Sequence, residues 1–458
     1  MNTKKLLAAA LALLMALAMV ACSTSTPAAT PSATTTETKP AATETKPAAT
    51  ETKTETKTET KTEPAATETK TEPEPAAPAA SLVVRDDSKY VNMTMDELYE
   101  EAKKEVAEGH QLVVYSETGS TAKSVAKFQE AYPEIVPEST KLKTNAIAEK
   151  IKQESEGNPY GDIIITSDGS GAIYQEWYTK GYVLAYYPAS IEADLNPEYT
   201  PYGVPITLEA DIWYYNTEVN PNGSPINNWW DVVEMDENGE SKYTIVSHDA
   251  SNLNMASMLA NLVKNADKLE AAYKEKYGTD IEYTYNPDDL GVEANNAGYE
   301  WLYRFLQCKH TVTNDSDEIL TTVDASTAEN PTIGFGSGIK LGDALELGLH
   351  VDYVTTLSQF NGFARAKFVL ISTKTDNPAA ARLFALYSLG GEDGQGAGYD
   401  AYVNRMGSYP TRASRDASAF NPKYSYADLN VLPTDLEFVN YNYLDVQDFW
   451  TFYAEEFK

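Results

Sequence analysis

Three times between Gln111 and Asn265 the chain repeats one local pattern: a short apolar run of β type, a turn of small and hydroxyl residues, and an amphipathic helical stretch. The first copy is residues 111–115, the turn 116–121 and the helical 122–132, closed by Pro133. The second is 161–166, the turn 167–171 and 172–180, and the third is 243–246, the turn 247–252 and 253–265. Strands that alternate with helices at this spacing predict an α/β fold with largely parallel sheets, because a parallel return needs a crossover long enough for a helix. In such sheets ligands gather beyond the carboxyl ends of the strands, which is where these turns lie.

Upstream, Thr94 with Glu97 three residues on is a capping-box pattern that opens a helix running to about Gly109. Residues 82–458 are more than one core comfortably serves, so two lobes are expected: 82–208 together with 359–458, and 209–358. The apolar runs 210–216 and 361–371 are the expected crossover and return, strands shared between the lobes that would make a hinge. The stretch 265–296 has the character of an insertion, and its role is not legible in the sequence.

The first residues set the compartment. Lys4 and Lys5 precede an apolar run from Leu6 to Ala21 that ends at Cys22, too short and too quickly followed by small polar residues for a stable membrane span. Residues 1–21 are therefore expected to be a secretion signal. Met19-Val20-Ala21-Cys22 stand where a bacterial lipobox would, with Met in the usual place of Leu. Cys22 is then the expected lipidation site and membrane anchor, against the plainer reading of a signal cut near Ala with Cys22 incidental. Up to Ser81 the chain repeats Thr, Glu, Lys, Pro and Ala with almost nothing to bury, so 22–81 is expected to be a disordered tether behind the lipidated Cys. At ~3 Å per residue fully extended it would reach over ~100 Å, which suits a thick, Gram-positive-type wall outside the cell membrane. The other cysteine, Cys308, sits in an apolar pattern and reads as a core residue, so the exported part is expected to be stable without an internal disulfide.

The first 81 residues carry nine Glu against eight Lys, so −31 of the chain's net −32 falls on residues 82–458. A part that acidic is a poor partner for nucleic acid or an anionic membrane surface.

The order of these pieces resembles the type II extracellular solute-binding proteins, particularly the ferric-iron branch, whose members also include hexose-phosphate and phosphonate binders. The residues that carry the resemblance are Asp96 to Glu105 leading into Leu112-Val113-Val114-Tyr115-Ser116, Asp162-Ile163-Ile164 with Ser167-Asp168-Gly169, and Tyr215-Asn216-Thr217. Trp230-Asp231-Val232, Asn377 to Phe384 and Gly407-Ser408-Tyr409-Pro410-Thr411-Arg412 complete it. The resemblance spans almost the whole region after the tether. It implies a two-lobe periplasmic-binding-protein-like type II fold with hinge strands, and the role of the extracellular solute-binding component of an ABC importer. The implied partners are a small solute and the transporter's permease subunits, with the chain acting as a monomer. One departure bears on the ligand: where ferric-binding members carry an adjacent tyrosine pair, this chain has Gly334-Phe335-Gly336-Ser337-Gly338 after a strand expected to end at Ile333.

A ferric site would draw on the pairs Tyr186-Tyr187 and Tyr214-Tyr215, but neighbours on a strand point to opposite faces and can hardly share one ion. His110, His248, His310 and His350 show no metal-ligand spacing, so no metal ligands and no cofactor are expected. The turns offer more. Ser116, Thr118, Gly119, Ser120 and Thr121, Ser167, Asp168 and Gly169, His248, Asp249 and Ser251, and Gly336 with Ser337 each place small or polar groups at a strand end. Helix N-termini there would favour a phosphate, phosphonate or carboxylate, by ~0.3 to 1 kcal/mol per helix from the dipole alone. The plainer account is that such residues cap their own helices. His248 and Asp249 could serve ligand hydroxyls, and Trp213, Tyr215 and Phe335 could form an aromatic wall. Glu117, Asp168 and Asp249 keep a polyamine-like cation open as another ligand class. A cell-surface structural or adhesive lipoprotein is the reading from outside transport. Catalysis is not expected: a triad could be drawn from His248, Asp249 and a turn serine, but there is no Gly-x-Ser-x-Gly elbow and no phosphate loop with its Lys.

Overall fold

The computed structural model describes residues 81–157 and 161–457, which belong to one compact unit, Ala77–Lys458. The expected signal, Cys22 and the tether up to residue 80 lie outside the described residues. Twelve strands form the sheet: β1 (Val113–Ser116), β2 (Glu138–Lys141), β3 (Ile163–Ser167), β4 (Val183–Leu184), β5 (Val204–Asn216), β6 (Thr244–Ser247), β7 (His310–Val312), β8 (Thr332–Ser337), β9 (Val351–Tyr353), β10 (Gly362–Ser372), β11 (Ser408–Pro410) and β12 (Leu432–Pro433). The main order is β2-β1-β3-β10-β5-β8-β6-β7. One half, β2-β1-β3, is parallel, and so is the other, β8-β6-β7. Between them run β5 and β10, antiparallel to each other and to β8 and β3, their neighbours in that order. The two long strands are the expected crossover and return. The amino-terminal part of β5 pairs with β10 and β11, and its carboxyl end pairs with β8 and β9.

Why the sheet is covered on both faces follows from its strands: β1, β3, β5 and β6 are buried at every position, so each face needs a layer of helices. The helix Met95–Ala107 opens with the Thr94–Glu97 capping box and packs against Pro378–Ser388, whose first turn is held by the Glu105 carboxylate on the Ala379 and Ala380 N–H groups at 2.7 and 2.9 Å. A second core gathers Trp213, Trp229, Trp230, Trp301 and Phe305 on the other half. Cys308 is buried there, and burial pushes its thiol up to about 11.

Two expectations change. The stretch 172–180 is not a regular helix but a wide π turn, Ile173–Trp177. Gly171 precedes it at φ +69°, a backbone region that glycine enters at little cost, and an added Cβ would lie 2.1 Å from the Leu436 carbonyl oxygen. The strand expected to end at Ile333 continues to Ser337, so Gly334 and Gly336 lie within β8 rather than in a turn. A Cβ at Gly334 would collide with Val323 and Ile319, so glycine lets the helix Ser316–Asp324 sit directly on the strand. The last helix, Leu436–Glu456, within the bounds expected for the first lobe, buries Val439, Val446, Phe449, Trp450 and Tyr453 in the second core against Leu253–Lys264 and Ala297–Gln307. That stripe falls at helical spacing and finds its apolar complement there. The stretch 265–296 also belongs to this core: its helix Ala266–Tyr277 buries Leu269 and Ala272, and the carbonyls of those two residues accept from Trp230 Nε1 and Asn228 Nδ2.

Candidate functional site

A cavity of about 610 Å³ lies between the two halves. Glu117, Thr118 and Gly119 after β1, with Lys141 at the end of β2 and Lys143 and Asn145 after it, form one wall. Ser251 to Asn254 after β6, with Ser316, Lys340 and Asp343, form the other, and Glu209 of β5 and Lys367 of β10 form the floor. Its charges are Lys141, Lys143, Lys340, Lys367 and Arg405 against Glu117, Glu209 and Asp343. Five cations line it to three carboxylates, with Asp317 just outside the lining pairing Lys340 at 2.6 Å, so the cleft still leans cationic in a chain that is −32 as a whole. Lys141 and Lys143 are exposed and make no ion pair among the described residues. Arg405 spans the halves to reach the Asp343 carboxylate at 3.3 Å and the Ile339 carbonyl oxygen at 3.3 Å.

The floor is a buried charge cluster. Glu209 and Asp211 alternate with apolar residues along β5 and so share its face, and Arg365 sits directly across from Glu209 in the register with β10. Arg365 reaches Glu209 at 3.5 Å and Asp211 at 3.2 Å, while Lys367 pairs with Glu209 and lies 3.7 Å from Glu117. Glu117 accepts from Thr144, Thr166 and Ser167 hydroxyls at 2.7, 2.9 and 3.0 Å. Burial pushes the Glu117 carboxyl up, but the Lys367 and Arg365 cations and these hydroxyls outweigh it and hold the group below the ordinary carboxylate range. Asp211 goes the other way: burial raises it, and Arg365 offsets this only in part.

A smaller pocket of about 40 Å³ adjoins the cleft through Asn254 and Ser316 and is lined by Asp211, His248, Phe335, Gly336 and Ser337. The Ser337 hydroxyl and Arg365 Nε are buried without a hydrogen-bond partner among the described residues.

The turn residues separate into two groups. Thr118, Gly119 and Ser251 line the cleft, and His248, Gly336 and Ser337 line the small pocket. Ser116, Ser120, Thr121, Ser167 and Asp168 do not line either. Thr121 donates to Ser116 Oγ at 2.7 Å and accepts from Tyr402 at 3.1 Å, while the Ser120 N–H donates to Thr118 Oγ1 at 3.3 Å. Asp168 accepts from the Ile173 and Tyr174 N–H groups at 3.1 and 3.0 Å, and burial lifts its carboxyl to about 6 despite those bonds. Gly169 is where the halves touch, since an added Cβ would meet Asn254 Oδ1 at 3.1 Å and Leu253 Cβ at 3.2 Å. Tyr215 and Trp213 lie on the face of β5 that carries Glu209, but farther along, in the second core. Phe335 alone of the expected aromatic wall reaches a pocket.

His248 and Asp249 are not joined as an acid–base pair. The His248 ring nitrogens meet the Thr313 carbonyl oxygen at 2.7 Å and Ser316 Oγ at 3.2 Å, and Asp249 accepts from the Ser251 N–H at 2.9 Å. Tyr186, Tyr187 and Tyr214 donate to the carbonyls of Tyr90, Thr200 and Ser337 at 3.2, 2.7 and 2.8 Å. Among the described residues no tyrosine lines the cleft, and no group of three His, Cys, Asp or Glu side chains is placed to hold a metal ion.

Sequence reasoning missed the floor and all five of the cleft cations. A signal for the floor was present: Glu209-x-Asp211 and Arg365-x-Lys367 put like charges two apart within apolar strands, which commits both pairs to one buried face.

No family model matches the chain, and no curated protein matches it in sequence. Solved structures do match in shape. Iron-bound HitA from Pseudomonas aeruginosa is 15% identical with a TM-score of 0.57, over 75% of this chain and 99% of that one. The ferric binding protein from Campylobacter jejuni is 15% identical with a TM-score of 0.54, over 76% and 99%. The periplasmic binding protein AgtB from A. tumefaciens R10, in complex with agropinic acid, is 16% identical with a TM-score of 0.50, over 75% and 98%. These likenesses show the fold: two α/β lobes joined by shared strands, as in periplasmic binding proteins.

Proposed function

We propose that this chain is the extracellular solute-binding component of an ABC importer, capturing a small phosphate- or carboxylate-bearing organic solute between its lobes and delivering it to the permease. The observation that carries the reading is the excess of cations in a cleft walled by both halves of an otherwise acidic molecule. Charges beyond ~8 Å are largely screened at physiological salt, so the local set decides what binds. The lobes are residues 82–208 with 359–435, and 209–358 with the helix Leu436–Glu456, turning about β5 and β10. An anion touching Lys141 or Lys143 on one side and Lys340 on the other favours the closed arrangement, because only there are both contacts made. Anchoring through Cys22, a tether across a thick cell wall and action as a monomer complete the proposal.

The cation reading loses its carboxylates, since Glu117, Asp168 and Asp249 are already engaged within the protein. Direct ferric binding lacks phenolates in the cleft. A thermal-shift screen of hexose phosphates, aminoethylphosphonate, ferric citrate, thiamine and spermidine tests the proposal. A bound solute at a hundredfold excess over its Kd adds about 2.7 kcal/mol. Stabilisation by the anionic members is expected. Stabilisation by spermidine or thiamine alone would overturn the proposal, and an unmoved Tm across the panel favours a structural role.

A further inference from the structure

The small pocket beside the cleft differs from it in chemistry. The cleft is cation-rich, whereas the pocket's one formal charge is the Asp211 carboxylate. Asp211 Oδ1 takes Arg365 at 3.2 Å, and its second oxygen has no protein donor among the described residues. Opposite in the β5–β8 register stands Ser337, whose buried hydroxyl has no partner. The Asn254 carboxamide, which lines both spaces, makes no side-chain hydrogen bond among the described residues. His248 adds no free polar atom, because both ring nitrogens are engaged.

The two spaces therefore sort the parts of a solute. A buried hydroxyl left unpaired is costly, so Ser337 Oγ calls for a polar group. The free oxygen of Asp211 can only accept, so an anionic group gains no hydrogen bond there, which leaves the anionic head to the lysines of the cleft. What fits between a free carboxylate oxygen and a free hydroxyl is a group that both donates and accepts. At about 40 Å³ the pocket is small but has room for a hydroxyl-sized group, since roughly 10–15 Å³ already holds one water. Phe335 supplies an apolar wall beside it.

We infer that this pocket is a specificity subsite that takes one hydroxyl of the solute, with Ser337, Asp211 and Asn254 as its hydrogen-bonding groups, so that the solute is a hydroxyl-bearing organic anion rather than a bare one. The inference rests on the anion reading of the cleft. A site built to hydrogen-bond a hydroxyl rejects an analogue that lacks it, because the site's own polar groups then stay unpaired.

Isothermal titration of the protein with inorganic phosphate, propyl phosphate, glycerol 3-phosphate, ribose 5-phosphate and glucose 6-phosphate, repeated on Ser337→Ala, is the test. At least one hydroxyl-bearing phosphate is expected to bind tenfold or more tighter than propyl phosphate. Ser337→Ala should remove that gain, leave propyl phosphate unchanged, and leave Tm equal or higher, since the lost hydroxyl had no partner. Equal binding of propyl phosphate and the best hydroxylated ligand overturns the subsite, as does a variant that weakens both alike. If none of the five binds, it is the anion reading of the cleft that fails, and the subsite falls with it.

Discussion

The floor of the cleft and the turns at its rim are built on opposite terms. β5 and β10 carry Glu209, Asp211, Arg365 and Lys367 to positions where the residues are almost fully buried and each charge depends on its neighbours. Past Glu117, the turns after β1 and β3 carry hydroxyls and a carboxylate with local duties: Thr121 donates to Ser116, and Asp168 accepts from the N–H groups of Ile173 and Tyr174. Polar residues at strand ends are not thereby ligand groups, because the same positions must satisfy the orphan N–H groups of the segment that follows. Charges in the middle of an apolar strand have no such local duty. The lesson is that position in the fold, more than residue type, separates a site from its scaffold.

The largest effect expected from this contrast is on stability. Lys367→Met leaves Glu209 and Glu117 with one fewer cation in a buried setting and should cost about 3–5 kcal/mol in denaturant unfolding, with Lys367→Arg recovering part of it. A loss under about 1 kcal/mol would mean that the floor is better solvated than its burial indicates.

Next comes Asp168, whose carboxyl burial holds at about 6. A carboxyl raised above its unfolded value binds more protons when folded, so its contribution is full below about pH 4 and is lost as pH rises through 6. Comparing the protein with Asp168→Asn from pH 4 to 7 should show a relative decline of about 2–3 kcal/mol in the parent and none from this site in the variant. Parallel curves would refute the assignment. The smallest effect belongs to the rim: Thr118→Ala removes the hydroxyl that accepts from the Ser120 N–H and should cost about 0.5–1 kcal/mol in thermal unfolding. A loss comparable to that of Lys367→Met would erase the distinction between rim and floor.

How much of this the sequence disclosed follows the same line. Strand–turn–helix periodicity was legible because burial on both faces demands continuous apolar runs such as Ile163-Ile164-Ile165, and the long strands β5 and β10 stood out for the same reason. The place of the last helix was not legible, since an apolar stripe says that a helix is buried but not against which core. In the site, Thr118, Gly119, Ser251 and Ser337 could be singled out as strand-end residues. Lys141, Lys340 and Arg405 could not, because a lysine or arginine outside a motif looks like any solvated charge until the fold brings three distant segments together.

The central claim is that one anion is held by both lobes, and the most direct test is calorimetric titration of the anionic solute that stabilises the protein best against Lys141→Glu, Lys340→Glu and the double variant. The account predicts that each reversal, one on either side of the cleft, weakens binding about tenfold or more and that the pair abolishes it. Binding that responds to one side alone, or to neither, would contradict it.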